Sequence, residues 1–206
     1  MKFVISKFME NKIDILAKFF YEIGNLRKVL RAHQQALLVV DPTDNIASHS
    51  FRTVFIGYFL AKELEGDADK VLKMCLLHDI EEVRSGDMNW INKKYVKVYG
   101  KEIRKDQLKN LPHSSEFLQL SKEYTERQSK EAKIAKDADL LEQVFLLKEY
   151  AQQGNKEAER WLHEDGDDEC QQIKLMNFDL TKEIAKKAIT QKPSDWWENI
   201  WTPKNR

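Results

Sequence analysis

The spacing of apolar side chains predicts that most of this chain is helical. Apolar residues recur every three to four positions from about residue 9 to residue 32, which is typical of a long amphipathic helix with Arg31 at its end. Residues 34–40 are ambiguous, and the Asp-Pro-Thr-Asp segment at 41–44 ends the pattern with a loop. No short run alternates apolar and polar residues between turn signals, so no sheet is predicted.

A second helix is predicted from Ile46 to about Leu64, with Thr43 or Asp44 as its N-terminal cap. Its inward side is predicted to carry the large apolar residues Phe51, Val54, Phe55, Tyr58 and Phe59. The helix should therefore pack these side chains against a core.

A third helix is predicted to begin at Asp67 or Asp69 and to include the segment Met74–Val83. Its apolar body comprises Val71, Leu72, Cys75, Leu76 and Ile80. Only a short turn around Gly66 separates it from the second helix, so the two helices are predicted to be antiparallel neighbours.

The second half of the chain contains one strong helix pattern and several weaker ones. Residues 99–126 are polar and predict loops around one or two short helices, whereas Glu131–Tyr150 predicts a long helix with a broad apolar face. An acidic turn at 165–169 and a helix from about Glu169 to Thr190 follow. Near the C-terminus, three tryptophans are predicted to cover the core: Trp196, Trp197 and Trp201. The fold class predicted is all-α.

Composition limits the partners of the protein. The 206 residues include 34 basic and 34 acidic side chains, so overall charge gives no reason to expect binding to nucleic acid or to an anionic membrane. The two cysteines make no disulfide framework, and no stretch resembles a secretory signal or a membrane span. We therefore expect one domain over residues 1–206 in a cytoplasmic protein, and a homodimer is compatible with this expectation.

The segment from Leu76 to Asp87 concentrates ligand-type side chains in a short, half-apolar stretch. On a helix, Glu82 would lie four residues after His78 and three after Asp79, so all three side chains could face one cavity. An alternative explanation is a His–carboxylate pair that only satisfies a buried core. A bound cation would offset the desolvation of these polar groups more fully.

Two other residues are unusual for their predicted helices. His49 lies early in the second helix, which the short turn could bring level with His78, although a surface histidine is an alternative. Asp139 lies among apolar residues in the helix 131–150, where an acid either pairs or has a raised pKa. Two imidazoles and two carboxylates suit a divalent transition metal with coordination positions left for water or substrate.

This set of residues resembles that of the HD-domain metal-dependent phosphohydrolases. The resemblance rests on His49, the His78-Asp79 doublet and the distant Asp139. The motif Leu77-His78-Asp79-Ile80-Glu81-Glu82-Val83, followed by Ser85-Gly86-Asp87, is similar to the branch that contains bacterial 5'-deoxynucleotidases. The resemblance covers about residues 25–150 and implies an all-α HD-domain helical bundle, to which the rest of the chain adds a C-terminal helical extension.

The resemblance also implies roles for individual residues. One divalent ion, whose identity among Mn, Co, Ni, Fe, Mg and Zn the ligand types leave open, would be bound by His49, His78, Asp79 and Asp139. Glu82 would act on the attacking water, and Asp87 would support the site. Arg31 best matches the family's phosphate-contacting arginine, although Ala32-His33 replaces the Gly-Trp that commonly follows it, and Ser48 replaces an acid that often precedes the first histidine. Arg31 or Arg52 could hold phosphate oxygens.

The function expected from this resemblance is removal of the 5'-phosphate from nucleoside monophosphates, with deoxyribonucleotides preferred. One alternative is another HD-type hydrolase, acting on a nucleoside triphosphate, a cyclic dinucleotide or a hyperphosphorylated guanine nucleotide. The sequence lacks the extra histidines of a second metal site, which argues against two-metal phosphodiesterases. Another alternative is a metal-bound nucleotide sensor or scaffold without turnover.

Overall fold

The computed structural model describes residues 2–163, 170–198 and 200, and the all-α prediction is confirmed for them. Within these ranges, the β-type pairing is one isolated antiparallel bridge between Leu30 and Asn45. The α-helices are α1 (Lys2–Ile23), α2 (Gln34–Leu37), α3 (Ile46–Glu63), α4 (Ala68–Leu77), α5 (Glu82–Ser85), α6 (Trp90–Tyr95), α7 (Gly100–Leu108), α8 (Ser114–Glu126), α9 (Lys130–Gln152), α10 (Lys156–Leu162), α11 (Gln171–Leu175) and α12 (Asp179–Thr190). The described residues also form 3₁₀ helices at Gly24–Lys28 and Asp195–Trp197.

Helix α9 is the centre of the core. It packs against α3, α4, α8, α10, α11 and α12. Its buried apolar residues are Ala132, Ile134, Ala135, Ala138, Leu140, Leu141, Val144 and Leu147. Since neighbours cover α9 on most sides, each acidic side chain that it carries inward needs a partner or a cation.

Gly57 marks the closest approach of α3 to its neighbours. A Cβ atom at this position would lie 2.7 Å from Cys75 Sγ and 3.1 Å from Val71 Cγ1, both on α4, and 3.5 Å from Ala138 Cβ on α9. The missing side chain therefore lets α3 pack closely on α4 and α9 about two helical turns after His49.

The prediction that the phenylalanines of α3 face the core is wrong. Phe51, Phe55 and Phe59 are exposed by 68%, 52% and 62%. The buried residues of α3 are instead Ile46, His49, Thr53, Gly57, Leu60 and Ala61. Small side chains in this second set permit the short distances to α4 and α9, which phenylalanine at those positions would prevent.

The predicted caps of α3 are also wrong. The N-cap is Asn45, whose Oδ1 accepts a hydrogen bond from the Ser48 amide at 3.1 Å. Asp44 cannot take this role because its carboxylate is buried and accepts from the Tyr150 hydroxyl, 3.0 Å away, and pairs with His33 Nε2 at 2.8 Å. Asp67 does cap α4, as one of the two predicted alternatives.

The first helix ends earlier than predicted, and Arg31 lies beyond it. After the 3₁₀ helix, the chain extends beside residues 44–46. The Ile46 amide donates to Val29 O at 2.9 Å, and the Arg31 amide donates to Asp44 O at 3.2 Å. This pairing holds Arg31 in a short extended segment next to the start of α3 instead of at a solvated helix end.

The predicted helix Met74–Val83 is interrupted. Helix α4 ends at Leu77, His78 is its C-cap residue, and α5 begins at Glu82. The turn is closed by the Glu82 amide, which donates to Asp79 O at 3.1 Å. The side chains of His78 and Asp79 therefore leave the end of α4 where the chain changes direction, and their positions do not follow from one helical wheel.

The long helix predicted from Glu169 to Thr190 is divided as well, because Asp137 of α9 binds the break between α11 and α12. The fully buried Asp137 carboxylate accepts from the Asn177 amide at 2.8 Å and from the Phe178 amide at 3.0 Å.

Residues 99–126 are more helical than predicted, since α7 and α8 occupy most of them.

Trp196 and Trp197 do not cover the core as predicted. Trp196 is 72% exposed and Trp197 is 41% exposed, and their rings contact each other edge to face at 4.9 Å between centroids. Trp201 and the acidic turn at 165–169 lie outside the described residues. Within the described part of the chain, no helix combines the length and the hydropathy needed to cross a bilayer.

The close packing around Gly57 generates a stability prediction with a definite sign. Gly→Ala inside a helix ordinarily stabilises by about 1 kcal/mol. We expect Gly57→Ala instead to lower the free energy of unfolding by about 1–3 kcal/mol, because the new methyl group overlaps Cys75 and Val71. Urea denaturation measures the change.

Gly24→Ala is the matched control, because its Cβ would lie 3.8 Å from the nearest side-chain atom, Arg27 Nη1, at ordinary van der Waals distance. This variant should be as stable as the wild type. A Gly57→Ala protein with unchanged or increased stability would contradict the described packing of α3 on α4.

Candidate metal centre and active site

Three helices bring His49, His78, Asp79 and Asp139 together. The two histidine Nε2 atoms are 3.0 Å apart, and His78 Nε2 lies 3.0 Å from Asp79 Oδ2. Asp139 Oδ1 lies 3.3 Å from His49 Nε2 and 4.0 Å from His78 Nε2. Residues from α3, the end of α4 and α9 thus place four candidate ligand atoms around one point.

The second ring nitrogen of each histidine faces a hydrogen-bond acceptor. His78 Nδ1 lies 2.7 Å from the carbonyl oxygen of Cys75, and His49 Nδ1 lies 2.5 Å from Glu142 Oε2. Both acceptors require the proton on Nδ1, so in the neutral histidines the lone pairs are on the two Nε2 atoms. Two lone pairs that face each other at 3.0 Å, next to two carboxylates, repel each other, and a cation between them would turn this repulsion into attraction.

The donor set fits one metal ion. Ligand atoms about 2.0–2.2 Å from a common ion lie roughly 3–4 Å from one another, depending on the coordination angle. The separations among His49, His78 and Asp79, including 3.6 Å between His49 Nε2 and Asp79 Oδ2, lie in this range, as do the distances from Asp139 Oδ1 to the two histidines. His49, His78 and Asp79 form the group of candidate metal ligands found among the described residues.

The electrostatics of the cluster also favour a positive charge. Burial disfavours the charged form of His78, but attraction from Asp79 and Asp139 outweighs it and raises the pKa of His78 to about 9. Burial likewise opposes ionisation of Asp79, but the neighbouring His78 lowers the pKa of this carboxyl to about 2. A metal ion would supply the positive charge that the site otherwise obtains by protonation.

Glu142 is an important site residue that the sequence analysis missed. It is buried on α9, and its carboxylate orients His49. Arg52 Nη2 binds its other oxygen at 2.8 Å, and Arg52 Nη1 binds Glu149 at 2.5 Å. Burial opposes ionisation of Glu142, but His49 and Arg52 lower its pKa to about 2. Its position one helical turn after Asp139 was the available signal.

This arrangement changes the interpretation of Arg52. The sequence suggested that it could hold phosphate, but its guanidinium is committed to Glu142 and Glu149 and is not part of the cavity wall described below. Arg52 instead lies behind His49, where it keeps Glu142 ionised.

Glu82 lies beside the metal-ligand cluster as predicted. Its Oε2 atom is buried and has no hydrogen-bond partner among the described residues. Burial, together with repulsion from Asp79 and Asp87, raises the pKa of Glu82 to about 10, against the opposing effect of Arg31. A carboxyl group with one unpaired, buried oxygen and this proton affinity is a candidate to act on a bound water or substrate.

Arg31 faces the same region and is held there by Asp87. Asp87 Oδ2 accepts from the Ala32 amide at 2.7 Å and lies 3.6 Å from Arg31 Nε. Arg31 Nε and Nη1 are buried without a hydrogen-bond partner in the described part of the chain. Nearby carboxylates, chiefly Asp79, overcome the effect of burial and raise the pKa of Arg31, which stays charged.

A cavity of about 630 Å³ joins these groups. Arg31, His78, Asp79, Glu82, Asp87 and Asp139 line one part of it. Further cations line the rest: Lys93, Lys101, Arg104, Arg127 and Lys136. The volume suits a small organic ligand. The carboxylates on the cavity wall suit a metal ion, and the cations suit an anionic group bound to that ion.

Two of these cations are already paired. Arg104 binds Glu81, and Lys136 Nζ lies 2.6 Å from Asp139 Oδ2. Arg104 and Tyr124 belong to the region 99–126, and Arg127 directly follows it; the weak apolar pattern of this region gave no indication that it forms a cavity wall.

The contact between Glu142 and His49 generates a prediction about metal affinity. Glu142→Gln should weaken binding of a divalent ion about 10- to 100-fold, because a neutral amide orients His49 less strongly and makes its Nε2 less basic. Competition with a chelator measures the dissociation constant.

Glu149→Gln is the matched control, since it removes one partner of Arg52 and leaves the contact between Glu142 and His49 intact. It should change metal affinity little. Equal losses in the two variants would show that Glu142 has no special role at His49.

Comparisons with known proteins find several similar chains. The chain is 26% identical over 147 residues to the protein named 5'-deoxynucleotidase HDDC2 from Dictyostelium discoideum, which covers 65% of this chain and 77% of that protein. A conserved hypothetical protein from Pyrococcus furiosus matches with a TM-score of 0.62 and 27% identity, over 68% of this chain and 84% of its own.

A predicted metal-dependent phosphohydrolase from Magnetospirillum magnetotacticum has a TM-score of 0.65 and 20% identity, over 88% of this chain and 93% of its own, and shares the fold. The family model described as HD domain matches residues 23–175, which include every residue of the cluster and of the cavity named above. The resemblance to HD-domain proteins seen in the sequence is thereby confirmed, and this chain belongs to the HD domain family.

Proposed function

We propose that this protein hydrolyses the 5'-phosphate of nucleoside monophosphates, deoxyribonucleotides included. The observation that carries the proposal is the pair of unsatisfied buried groups, Arg31 and Glu82, which face one cavity beside the histidine–aspartate cluster. A bound phosphate and its attacking water would provide the partners that these groups lack. The name of the Dictyostelium relative, 5'-deoxynucleotidase, supports the choice of substrate.

His49, His78, Asp79 and Asp139 would hold one divalent ion. When bound, such an ion lowers the pKa of a coordinated water and neutralises charge on phosphoryl oxygens. The mixed nitrogen and oxygen donors suit several divalent metals, so metal identity stays open. Around this centre, Glu142 and the Cys75 carbonyl keep both Nε2 lone pairs directed inward.

Glu82 would orient the attacking water and accept its proton. Its raised pKa favours proton uptake, and a bound cation would lower that pKa so that the carboxylate is ionised before reaction. The burial of Oε2 keeps bulk water from competing for the same oxygen.

Arg31 would bind the phosphate oxygens that face away from the ion. Its unpaired N–H groups can donate charge-assisted hydrogen bonds, which strengthen as negative charge develops in the transition state. Asp87 would support the site by positioning the Arg31-Ala32 backbone and by balancing the guanidinium charge. A terminal phosphate suits this arrangement because its oxygens can reach both the ion and Arg31.

A second candidate function is hydrolysis of a more highly phosphorylated nucleotide. Lys93, Lys101 and Arg127 on the same cavity favour it, because they could neutralise additional phosphates. The monophosphate is preferred since the unsatisfied groups beside the ligand cluster suffice for a single phosphate.

Glu82→Gln separates catalysis from metal binding. The substitution keeps the size of the side chain but removes the proton acceptor, so turnover should fall by a factor on the order of 100 or more while metal content is retained. Phosphate release and elemental analysis of protein purified without chelator measure the two quantities.

His78→Ala is the contrasting variant, which should lose most of the metal as well as the activity. An active Glu82→Gln protein would remove the proposed role of Glu82. Full metal occupancy in His78→Ala would contradict the proposed ligand set.

A substrate panel tests the proposed function directly. Ribo- and deoxyribonucleoside 5'-monophosphates, triphosphates and cyclic dinucleotides are incubated with the protein and each of the divalent metals in turn, and released phosphate is assayed. Monophosphates should be hydrolysed fastest, since one phosphate satisfies both the ion and Arg31. Release of pyrophosphate or tripolyphosphate with inert monophosphates would favour the second candidate, and no turnover would favour a sensor.

A further inference from the structure

We propose that Trp90 is the base-binding residue of this cavity and stacks against the nucleobase of the substrate. The inference rests on the proposed function, because it assumes a nucleotide whose phosphate lies at Arg31. It assigns a specificity role to a residue outside the metal-ligand motif.

Trp90 offers an aromatic surface to the cavity. It is the first residue of α6, it belongs to the cavity wall, and it remains 57% exposed. Its ring packs edge to face against the ring of Trp161 in α10, at 5.0 Å between ring centroids and 61° between ring planes. Exposure of a large aromatic ring to water is unfavourable, and a planar base would remove part of this surface from water.

The position of Trp90 is coupled to that of Arg31. The preceding residue, Asn89, is buried, and its Nδ2 donates to Ala32 O at 2.9 Å and to Gln35 Oε1 at 3.1 Å. Its Oδ1 accepts the amide of Ile91 at 2.9 Å and so caps α6. One buried amide therefore links the backbone beside the phosphate-facing arginine to the helix that carries the tryptophan.

The other aromatic ring of the cavity wall is less suited to this role. Tyr124 is only partly exposed, and its ring already contacts His78, at 5.9 Å between centroids, and Arg127, at 6.0 Å. Trp90 is the more accessible aromatic face on the described wall. Base–aromatic stacking tolerates different bases, with the larger purine rings gaining more contact area.

A matched pair of substrates tests the proposal in the metal-loaded enzyme. Deoxyadenosine 5'-monophosphate and 2-deoxyribose 5-phosphate share the phosphate and the sugar, and only the first carries a base. Trp90→Ala should lower kcat/KM for the nucleotide about 5- to 100-fold, mainly through KM, and leave the base-free compound nearly unchanged. Trp90→Phe should restore most of the loss.

Trp196→Ala is the control, because Trp196 is 72% exposed but is not part of the cavity wall. It should leave both substrates unaffected. Equal losses for the two substrates in Trp90→Ala, or no loss for the nucleotide, would overturn the proposal. A smaller loss for deoxycytidine 5'-monophosphate than for the purine nucleotide would support stacking.

Calorimetric binding of the same two compounds distinguishes failure of this inference from failure of the proposed function. If the wild type binds the nucleotide without turnover, and Trp90→Ala weakens that binding selectively, the base-binding role holds and the hydrolytic function does not. If the wild type binds neither compound, or binds both with affinities that Trp90→Ala leaves unchanged, the base-binding role is overturned.

Discussion

Two imidazole nitrogens 3.0 Å apart, next to two half-buried carboxylates, form an arrangement that a positive charge among them would stabilise. Hydrogen bonds to the two histidines fix both rings in the orientation that a bound cation would need. The Cys75 carbonyl and Glu142 bind the Nδ1 side of each histidine, so neither ring can turn its lone pair away from the cluster. The close packing of α3, α4 and α9 is needed to keep these distances short.

The acidic residues of α9 illustrate how one buried helix carries several charges. Asp137 is satisfied by the amides between α11 and α12, Asp139 faces the histidines and Lys136, and Glu142 is shared by His49 and Arg52. Each carboxylate has a separate set of donors, which offsets its desolvation. The same helix therefore holds the core together and presents a ligand to the metal site.

The phosphate-binding side is built by contacts between segments far apart in the chain. Residues 29–31 are extended because they pair with residues 44–46, and Asp87 and Asn89 bind the backbone of Ala32. These contacts hold Arg31, whose Nε and Nη1 lack hydrogen-bond partners, on the same cavity as Glu82, whose Oε2 also lacks one. Buried polar atoms without partners lower stability, and a ligand that bonds to them would offset this cost.

The sequence by itself determined the all-α class, the long central helix α9 and the candidate cluster of His49, His78, Asp79 and Asp139, because helical periodicity and ligand chemistry are local properties of a chain. Only the tertiary structure decided which stripe of α3 is buried, that Arg52 supports Glu142 while Arg31 faces the cavity, and that Trp90 lies on the cavity wall. These features depend on close approach at Gly57 and on hydrogen bonds between residues more than 50 positions apart, such as Ala32 with Asp87 and Asn89. Periodicity within one helix cannot specify them, since they are set by which neighbours the other helices supply.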